Sequence, residues 1–154
     1  MGMDLSSTKN DAYFRANVWS WRPIWNLVRV EVGLTDSEYE SGSCNDGFEI
    51  SEEKAKEIHE KLSKLDLPKT IKEYHYYLDT LPLEDCDICD GSGKRDDNNV
   101  VKGEDCNACN NEYTKEEGIP VGKQKNWQTN YRMYQDHIEE FIDFCDKSKG
   151  FKIY

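Results

Sequence analysis

The chain has 154 residues, of which 12% are aromatic and 33% are charged, and its formal net charge is −11. This length and this supply of large apolar side chains suffice for a folded core and exclude a disordered chain. The sequence has no apolar run of the roughly 18 residues that a membrane span needs. Its start, MGMDLSS, lacks the features of a secretory signal. We therefore expect a folded protein of the cytoplasm.

The acidic excess is concentrated in the middle of the sequence. Residues 34–83 and 84–112 each carry a formal net charge of −6, whereas both ends are close to neutral. Such a surface repels the phosphates of nucleic acids and attracts basic surfaces. The charge distribution therefore predicts a protein partner with a basic surface and disfavours a nucleic acid.

The densest aromatic run of the chain, residues 13–25, comes first in the sequence. Pro23 is typical of the first turn of a helix, where its missing N–H costs nothing, and Gly33 is typical of a helix end. We predict a helix over 22–32. The glycine, asparagine and aspartate residues within 39–50 predict a loop.

Three more helices are predicted from apolar residues that recur at steps of three and four. Ser51 is a suitable N-cap for the first, over about 52–65. The second covers about 70–80 and the third about 125–147, and a short strand is predicted at 151–154. The buried face of the third helix is predicted to carry Trp127, Tyr131, Tyr134, Ile138, Phe141, Ile142 and Cys145.

The segment between the last two helices contains two C-x-x-C pairs, formed by Cys86, Cys89, Cys106 and Cys109. Two residues between cysteines allow a tight turn to direct both thiolates at one ion, and four thiolates satisfy a tetrahedral Zn²⁺. The pattern predicts a structural zinc site with these four ligands. A redox dithiol is the alternative, although a redox C-x-x-C normally opens a helix in a βαβ unit, which the sequence lacks.

The same segment is poor in core-forming residues, so apolar burial alone would not order it. Metal binding supplies folding free energy on the order of 10 kcal/mol in small zinc modules. We predict that 84–112 forms a zinc hairpin inserted into a single, mostly helical domain of α+β class over 1–154. Because four cysteine ligands leave no open position for water, we do not expect hydrolytic zinc chemistry.

The sequence CDICDGSG at 86–93 resembles the C-x-x-C-x-G-x-G repeat in the cysteine-rich domain of DnaJ-type chaperones. Such repeats pair to build zinc sites in that family, so the resemblance implies a local zinc-knuckle geometry. The glycines of the repeat are missing directly after Cys109, and the chain has no His-Pro-Asp of a J-domain. The resemblance is confined to this segment and does not imply chaperone function.

The aromatic start of the chain allows three interpretations. Trp19, Trp21 and Trp25 cannot all share one helical stripe, so some are expected to fill the core against the final helix and others to face outward. Exposed Trp and Arg side chains are favoured at interfaces. Candidate partner-binding residues are Arg15, Trp19, Trp21, Arg22 and Trp25. Stacking on nucleic-acid bases, with Arg15, Arg22 and Arg29 near phosphates, is the third interpretation.

The run YFRANVWSWRPIW at 13–25, together with the start MGMD, resembles an uncharacterised group of small proteins from bacteriophages and bacterial genomes. That resemblance extends over most of the chain, including a cysteine-pair insert before a final aromatic helix. It implies a phage or prophage context and hence a bacterial host cell, but it implies no activity.

The sequence contains no Walker loop, G-x-S-x-G elbow or H-E-x-x-H motif. The remaining candidates are expected to be ordinary helix residues, a loop thiol and a buried thiol: His59, His75, His137, Cys44 and Cys145. We favour a non-enzymatic, acidic, zinc-containing protein that acts through protein–protein contact, possible partners including a basic host protein that binds nucleic acids. The alternatives are a nucleic-acid-binding zinc module and an enzyme of unrecognised type.

Overall fold

The computed structural model describes residues 2–95 and 103–154. It has an α+β fold, as the sequence predicts, and divides into two compact units, one formed by 1–77 with 130–154 and the other by 78–129. In the described part of the chain, no helix is both long and apolar enough to cross a membrane. In chain order the elements are β1 (Gly2–Ser7), β2 (Tyr13–Asn17), α1 (Val18–Val28), α2 (Asp36–Gly42), β3 (Phe48–Ile50), α3 (Glu52–Leu62), α4 (Leu67–Asp79), β4 (Glu84–Asp85), α5 (Glu112–Glu116), β5 (Lys123–Gln124), α6 (Gln135–Ser148) and β6 (Phe151–Ile153).

An antiparallel sheet with the strand order β2-β1-β6-β3 organises the first unit. Alternate residues of a strand point to one face of its sheet. The buried face therefore carries Met3, Leu5, Phe14, Ala16, Ile50, Phe151 and Ile153. The predicted C-terminal strand is confirmed, and it lies between β1 and β3.

Helix α1 begins earlier than the predicted residue 22. The Asn17 side chain caps it, because the Ser20 N–H donates to Asn17 Oδ1 at 2.9 Å. Pro23 consequently lies inside the helix and not in its first turn, which corrects the prediction. A π-helical turn over Arg29–Gly33 follows, and Gly33 adopts a φ of 76° there.

Two tryptophans of α1 fill the core of the first unit. Trp21 and Trp25 are 1% and 0% exposed, and their stacked rings lie 5.3 Å apart. Trp21 also meets Phe141 of α6 edge-on, with ring centroids at 5.6 Å. Both indole N–H groups donate to carbonyls of α2, those of Gly42 and Tyr39, at 2.8 and 2.9 Å. The predicted burial within the aromatic run is confirmed for both side chains, and the predicted packing against the final helix is confirmed for Trp21.

Residues 39–50 are not the predicted loop. They contain the end of α2 and all of β3. A capping box starts α2, because Glu38 N–H donates to Thr35 Oγ1 at 3.2 Å and the Glu38 carboxylate accepts from Thr35 N–H at 2.8 Å. The turn-forming residues only connect this helix to the strand.

The middle helices agree more closely with their predictions. The Ser51 side chain caps α3, accepting from Lys54 N–H at 3.2 Å. The helix α4 begins at Leu67, earlier than predicted, because Pro68 is tolerated in a first helical turn.

The final helix is shorter than the predicted 125–147. Trp127 and Tyr134 are 51% and 59% exposed, so their predicted burial is wrong. Within α6, the predicted residues Ile138, Phe141, Ile142 and Cys145 are buried, and so is Phe144, which was not predicted. The chain forms a separate 3-10 turn at Trp127–Asn130. Asn126 stabilises that turn, since its side chain accepts from Gln128 N–H at 2.9 Å.

Candidate metal centre

The second unit gathers four buried cysteine sulfurs. Cys86 Sγ lies 3.9 Å from Cys106 Sγ, and Cys89 Sγ lies 3.7 Å from Cys109 Sγ. All four sulfurs are within 4.8 Å of one another. Four sulfurs at about 2.3 Å from a tetrahedral ion are roughly 3.8 Å apart, whereas a disulfide joins sulfurs at about 2.0 Å. The predicted ligands therefore form one site that could bind a metal ion.

The first cysteine pair lies on a turn that requires glycine. Gly91 and Gly93 have φ angles of 76° and 74°, which side chains rarely adopt, and Asp90 also has a positive φ of 50°. A Cβ on Gly93 would overlap the side chain of Val121. The glycines of the C-x-x-C-x-G-x-G repeat are thus explained by backbone conformation and close packing.

Gly93 links the two cysteine pairs through its peptide groups. Its N–H donates to Cys89 Sγ at 3.3 Å, and its carbonyl accepts from Cys106 N–H at 2.9 Å. An N–H that donates to sulfur stabilises the thiolate, and a cysteine must be a thiolate to bind a metal. The glycine therefore orients one cysteine of each pair.

Gly122 does the same for the other two cysteines. Its N–H donates to Cys109 Sγ at 3.3 Å, and its carbonyl accepts from Cys86 N–H at 2.9 Å. Its φ is 86°, and a Cβ there would overlap the carbonyl oxygen of Gly91. A glycine is missing directly after the second cysteine pair, and Gly122 takes its place further along the chain.

The helix α5 explains why Gly122 lies so far from Cys109 in the sequence. It begins after Asn111, whose side chain accepts from Thr114 N–H at 2.9 Å, and lies between Cys109 and Gly122 in the sequence. The sequence does carry a signal that Gly93 and Gly122 are equivalent. Each cysteine pair is preceded by Glu-Asp and followed by a Gly-Lys, at Glu84-Asp85 with Gly93-Lys94 and at Glu104-Asp105 with Gly122-Lys123.

Two equivalent ion pairs complete this repeat. Lys94 Nζ lies 2.5 Å from Asp105 Oδ1, and Lys123 Nζ lies 2.6 Å from Asp85 Oδ1. In each pair the lysine follows a linking glycine and the aspartate precedes a cysteine of the other half. The site is therefore an approximately twofold arrangement of two Glu-Asp-Cys-x-x-Cys…Gly-Lys segments. The unit extends beyond the predicted 84–112, because β4 pairs with β5.

Burial acts to raise the pKa values of three of the cysteine thiols, whereas hydrogen bonds from peptide N–H groups act to lower them. Burial raises the pKa of Cys109 to about 12 and also raises the pKa of Cys86. Burial also acts to raise the pKa of Cys89, but the Gly93 N–H and the neighbouring thiols outweigh it and lower that pKa to about 7. Four thiolates so close together need a cation to offset their charge. Metal binding to this site must therefore release protons.

The candidate partner-binding residues of the first unit do not share one environment. Trp21 and Trp25 are buried in the core, which removes them as surface anchors. Trp19 is 50% exposed and lies 4.9 Å from the Tyr131 ring. Arg22 lies over the same ring at 5.2 Å, and exposed Arg15 pairs with Asp4 at 3.6 Å.

The other histidines and cysteines occupy the ordinary positions predicted for them. The hydrogen-bonded pairs are His59 Nδ1 with Ile142 O at 3.1 Å, His75 Nε2 with Met133 N–H at 3.1 Å and His137 Nε2 with Arg15 O at 3.2 Å. Cys44 is exposed after α2, whereas Cys145 is buried in α6. Among the described residues, the cysteine quartet is the one group arranged to hold a metal ion.

Comparison of the chain with protein-family models, curated proteins and solved structures finds no match in any of the three. The candidate metal site therefore rests on the geometry of this chain alone. The resemblance of 13–25 to a phage protein group stays a prediction.

Proposed function

We propose that the chain is a non-enzymatic, zinc-containing binding protein of a bacterial cytoplasm that acts through protein–protein contact. The observation that carries the zinc site is the buried quartet of Cys86, Cys89, Cys106 and Cys109, with sulfur–sulfur distances of 3.9 and 3.7 Å between the pairs. A tetrahedral set of four thiolates suits Zn²⁺ or iron. Zn²⁺ is the ion we propose, because the two C-x-x-C turns match a structural zinc site.

The composition of the second unit supports a structural role for the ion. Apart from the cysteines, the buried apolar residues described in 78–129 are Leu78 and Ile119. So small a core does not offset the conformational entropy lost on folding. Four cysteine ligands would also leave no open coordination position, which argues against hydrolysis at this metal.

The charge of the molecule supports a basic protein partner. Residues 78–129 carry a formal net charge of −6, and Zn²⁺ with four thiolates would add −2. The arginines that a nucleic acid would need are engaged elsewhere. Arg29 lies 2.6 Å from Asp36, Arg15 pairs with Asp4, and Arg22 stacks on an aromatic ring. A basic host protein in a phage-infected cell fits this surface better than a nucleic acid.

Metal content measured by mass spectrometry, on protein purified without added metal, tests the zinc proposal. We expect one zinc per chain, lost in Cys109→Ser and retained in the matched control Cys44→Ser. Iron in place of zinc would overturn the identity of the ion. No metal, with these four cysteine thiols reactive in addition to the exposed Cys44, would overturn the site and favour the redox dithiol.

Capture of partners from host lysate at increasing salt tests the contact proposal. We expect a basic protein whose binding weakens as salt screens the charges. A mobility-shift assay with DNA and RNA provides the comparison. Binding of nucleic acid without a protein partner would instead support the nucleic-acid-binding alternative.

A further inference from the structure

The strand β2 forms one edge of the four-stranded sheet, and no strand in the described part of the chain pairs with its outer side. Asp4 of β1 exchanges both of its peptide hydrogen bonds with Tyr154, at 2.8 Å each, so its peptide groups point away from β2. The peptide N–H and C=O groups of its neighbours Met3 and Leu5 consequently point toward β2.

This alternation fixes the direction of the peptide groups in β2. Phe14 and Ala16, which face Leu5 and Met3 in the ladder, bond inward to β1. The peptide groups of Tyr13 and Arg15 therefore point out from the edge. The Arg15 carbonyl meets the His137 ring, with Nε2 at 3.2 Å, and Nε2 must carry the proton because a carbonyl oxygen only accepts. The His137 side chain thus occupies the middle of this strand edge.

The helix α6 forms the floor of a groove beside this edge. Phe14 of β2 packs on α6, with its ring 5.0 Å from His137 and 5.5 Å from Phe141. Two cavities of about 360 and 340 Å³ lie along the groove, and Glu140 lines both. Asp143 lines the first cavity and Asp136 lines the second.

The groove is acidic where an added strand would place its side chains. In a sheet extended by one strand, the new residues beside Phe14 and Ala16 would point toward α6. There they would meet the exposed carboxylates of Asp136, Glu140 and Asp143. The two bases nearby form exposed ion pairs, Arg15 with Asp4 at 3.6 Å and Lys147 with Asp143 at 3.8 Å. The acidic excess of the groove therefore comes from Asp136 and Glu140.

We propose that the β2 edge binds an extended basic segment of the partner as a fifth strand of the sheet. Its main chain would bond to the outward peptide groups of Tyr13 and Arg15, displacing the His137 ring. Alternate lysine or arginine side chains would lie over the α6 carboxylates, with the half-exposed Trp19 at one end of the groove. This inference rests on the proposed contact with a basic protein and names the surface that makes it.

Synthetic peptides test this inference on the full-length, metal-loaded protein. An alternating peptide, TKVKVKT, is compared with KKKVVTT, which has the same composition without the alternation. We expect the alternating peptide to bind at least about tenfold more tightly, since only an extended strand with alternate basic residues satisfies both the edge and the carboxylates. Equal binding of the two would overturn the β2 proposal and leave the basic-partner proposal standing. If neither peptide binds, both proposals fail.

Charge reversal on α6 locates the binding surface. Glu140→Lys should weaken binding of the alternating peptide roughly fivefold. The matched control Glu139→Lys lies on the same helix, is exposed and changes the net charge equally, and it should weaken binding less than about twofold. Equal effects of the two variants would place the peptide elsewhere.

Backbone methylation tests the main-chain bonds without altering the protein. Only every second N–H of an added strand points at its neighbour. Of two alternating peptides, N-methylated at odd or at even residues, one should lose at least about tenfold in affinity and the other should keep it. Any other pattern of affinities would overturn strand addition. A dimer of the chain that persists when the peptide is added would also overturn it.

Discussion

The two units of the molecule differ in the residues that form their buried clusters. In the first unit, Trp21, Trp25 and Phe141 are buried against a sheet whose inner face is apolar. In the second unit, the buried cluster consists of the four cysteines. The hydrophobic effect can order the first segment, but the second lacks the apolar surface that this effect requires. The comparison shows that the segment poor in apolar residues buries four cysteines that could hold a metal ion, where the first unit buries large side chains.

Glycine has different roles in the two units as well. Gly42 in the first unit lies against the Trp25 ring, where a Cβ would overlap the indole. Gly93 and Gly122 in the second unit direct peptide groups at sulfur. One glycine thus permits side-chain packing, and the other two position the candidate ligands.

Removal of the metal should have the largest effect and should act on only one of the two units. A chelator should unfold residues 78–129, because the metal supplies on the order of 10 kcal/mol in small zinc modules, and should leave the first unit folded. Hydrogen exchange measures this directly: the amides of Cys86 and Cys106 should lose protection, while those of β1 and α6 keep it. Loss of protection throughout the chain, or at no amide, would contradict the claim that the metal stabilises the second unit and the apolar core stabilises the first.

Substitution of the displaced glycine should have the next largest effect. Gly122→Ala forces a Cβ onto Gly91 and disturbs the N–H that donates to Cys109. We expect metal affinity to fall about 10–100-fold, as for other groups that orient ligands. Gly118→Ala is the matched control, since Gly118 also has a positive φ but open space around its Cα. A competition titration with a zinc chelator compares the two, and equal affinities would refute the role of Gly122.

Crowding the first core should destabilise only that unit. Alanine in place of a helical glycine normally stabilises a helix, but Gly42→Ala would push into the Trp25 ring. We expect a loss of about 1–3 kcal/mol in the free energy of unfolding, with metal content unchanged. Denaturant unfolding followed by tryptophan fluorescence measures it, with Ser37→Ala in the same helix as control. A stabilised Gly42→Ala protein would show that the ring moves aside freely.

The smallest effect should come from the ion pairs around the metal centre. Lys94 and Lys123 have partly exposed side chains, as do their aspartate partners. Exposed pairs contribute little to stability. Lys94→Met and Lys123→Met should each change metal affinity less than about threefold, and by similar amounts if the site is twofold. The same chelator competition applies, and a large loss in one variant alone would break the symmetry.

The fold was predictable where apolar spacing and capping residues agree. Ser51 and four of the buried residues of α6, Ile138, Phe141, Ile142 and Cys145, were identified from these signals. Trp127 and Tyr134 continue the spacing of α6 toward its start. Trp127 nevertheless lies in a separate turn that bonds of Asn126 start, and Tyr134 lies at the N-cap position of α6. The strand β1 was not predicted, since its pairing with β6 joins residues at opposite ends of the sequence.

The ligands of the candidate site were predictable, but their support was only partly so. Two C-x-x-C pairs identify Cys86, Cys89, Cys106 and Cys109 at the level of the sequence. Gly122 could not be found by comparison with a compact repeat, because a helix separates it from the second pair. Only the recurrence of Glu-Asp before each pair and Gly-Lys after it gives the signal.

X-ray absorption at the zinc edge tests the central claim most directly, because it reports the identity of the ion and its ligand atoms together. For the purified protein, we predict zinc surrounded by four sulfur atoms at about 2.3 Å and by no nitrogen or oxygen ligand. Absence of zinc, or a shell containing nitrogen or oxygen, would contradict the assignment of these four cysteines as a closed structural metal centre.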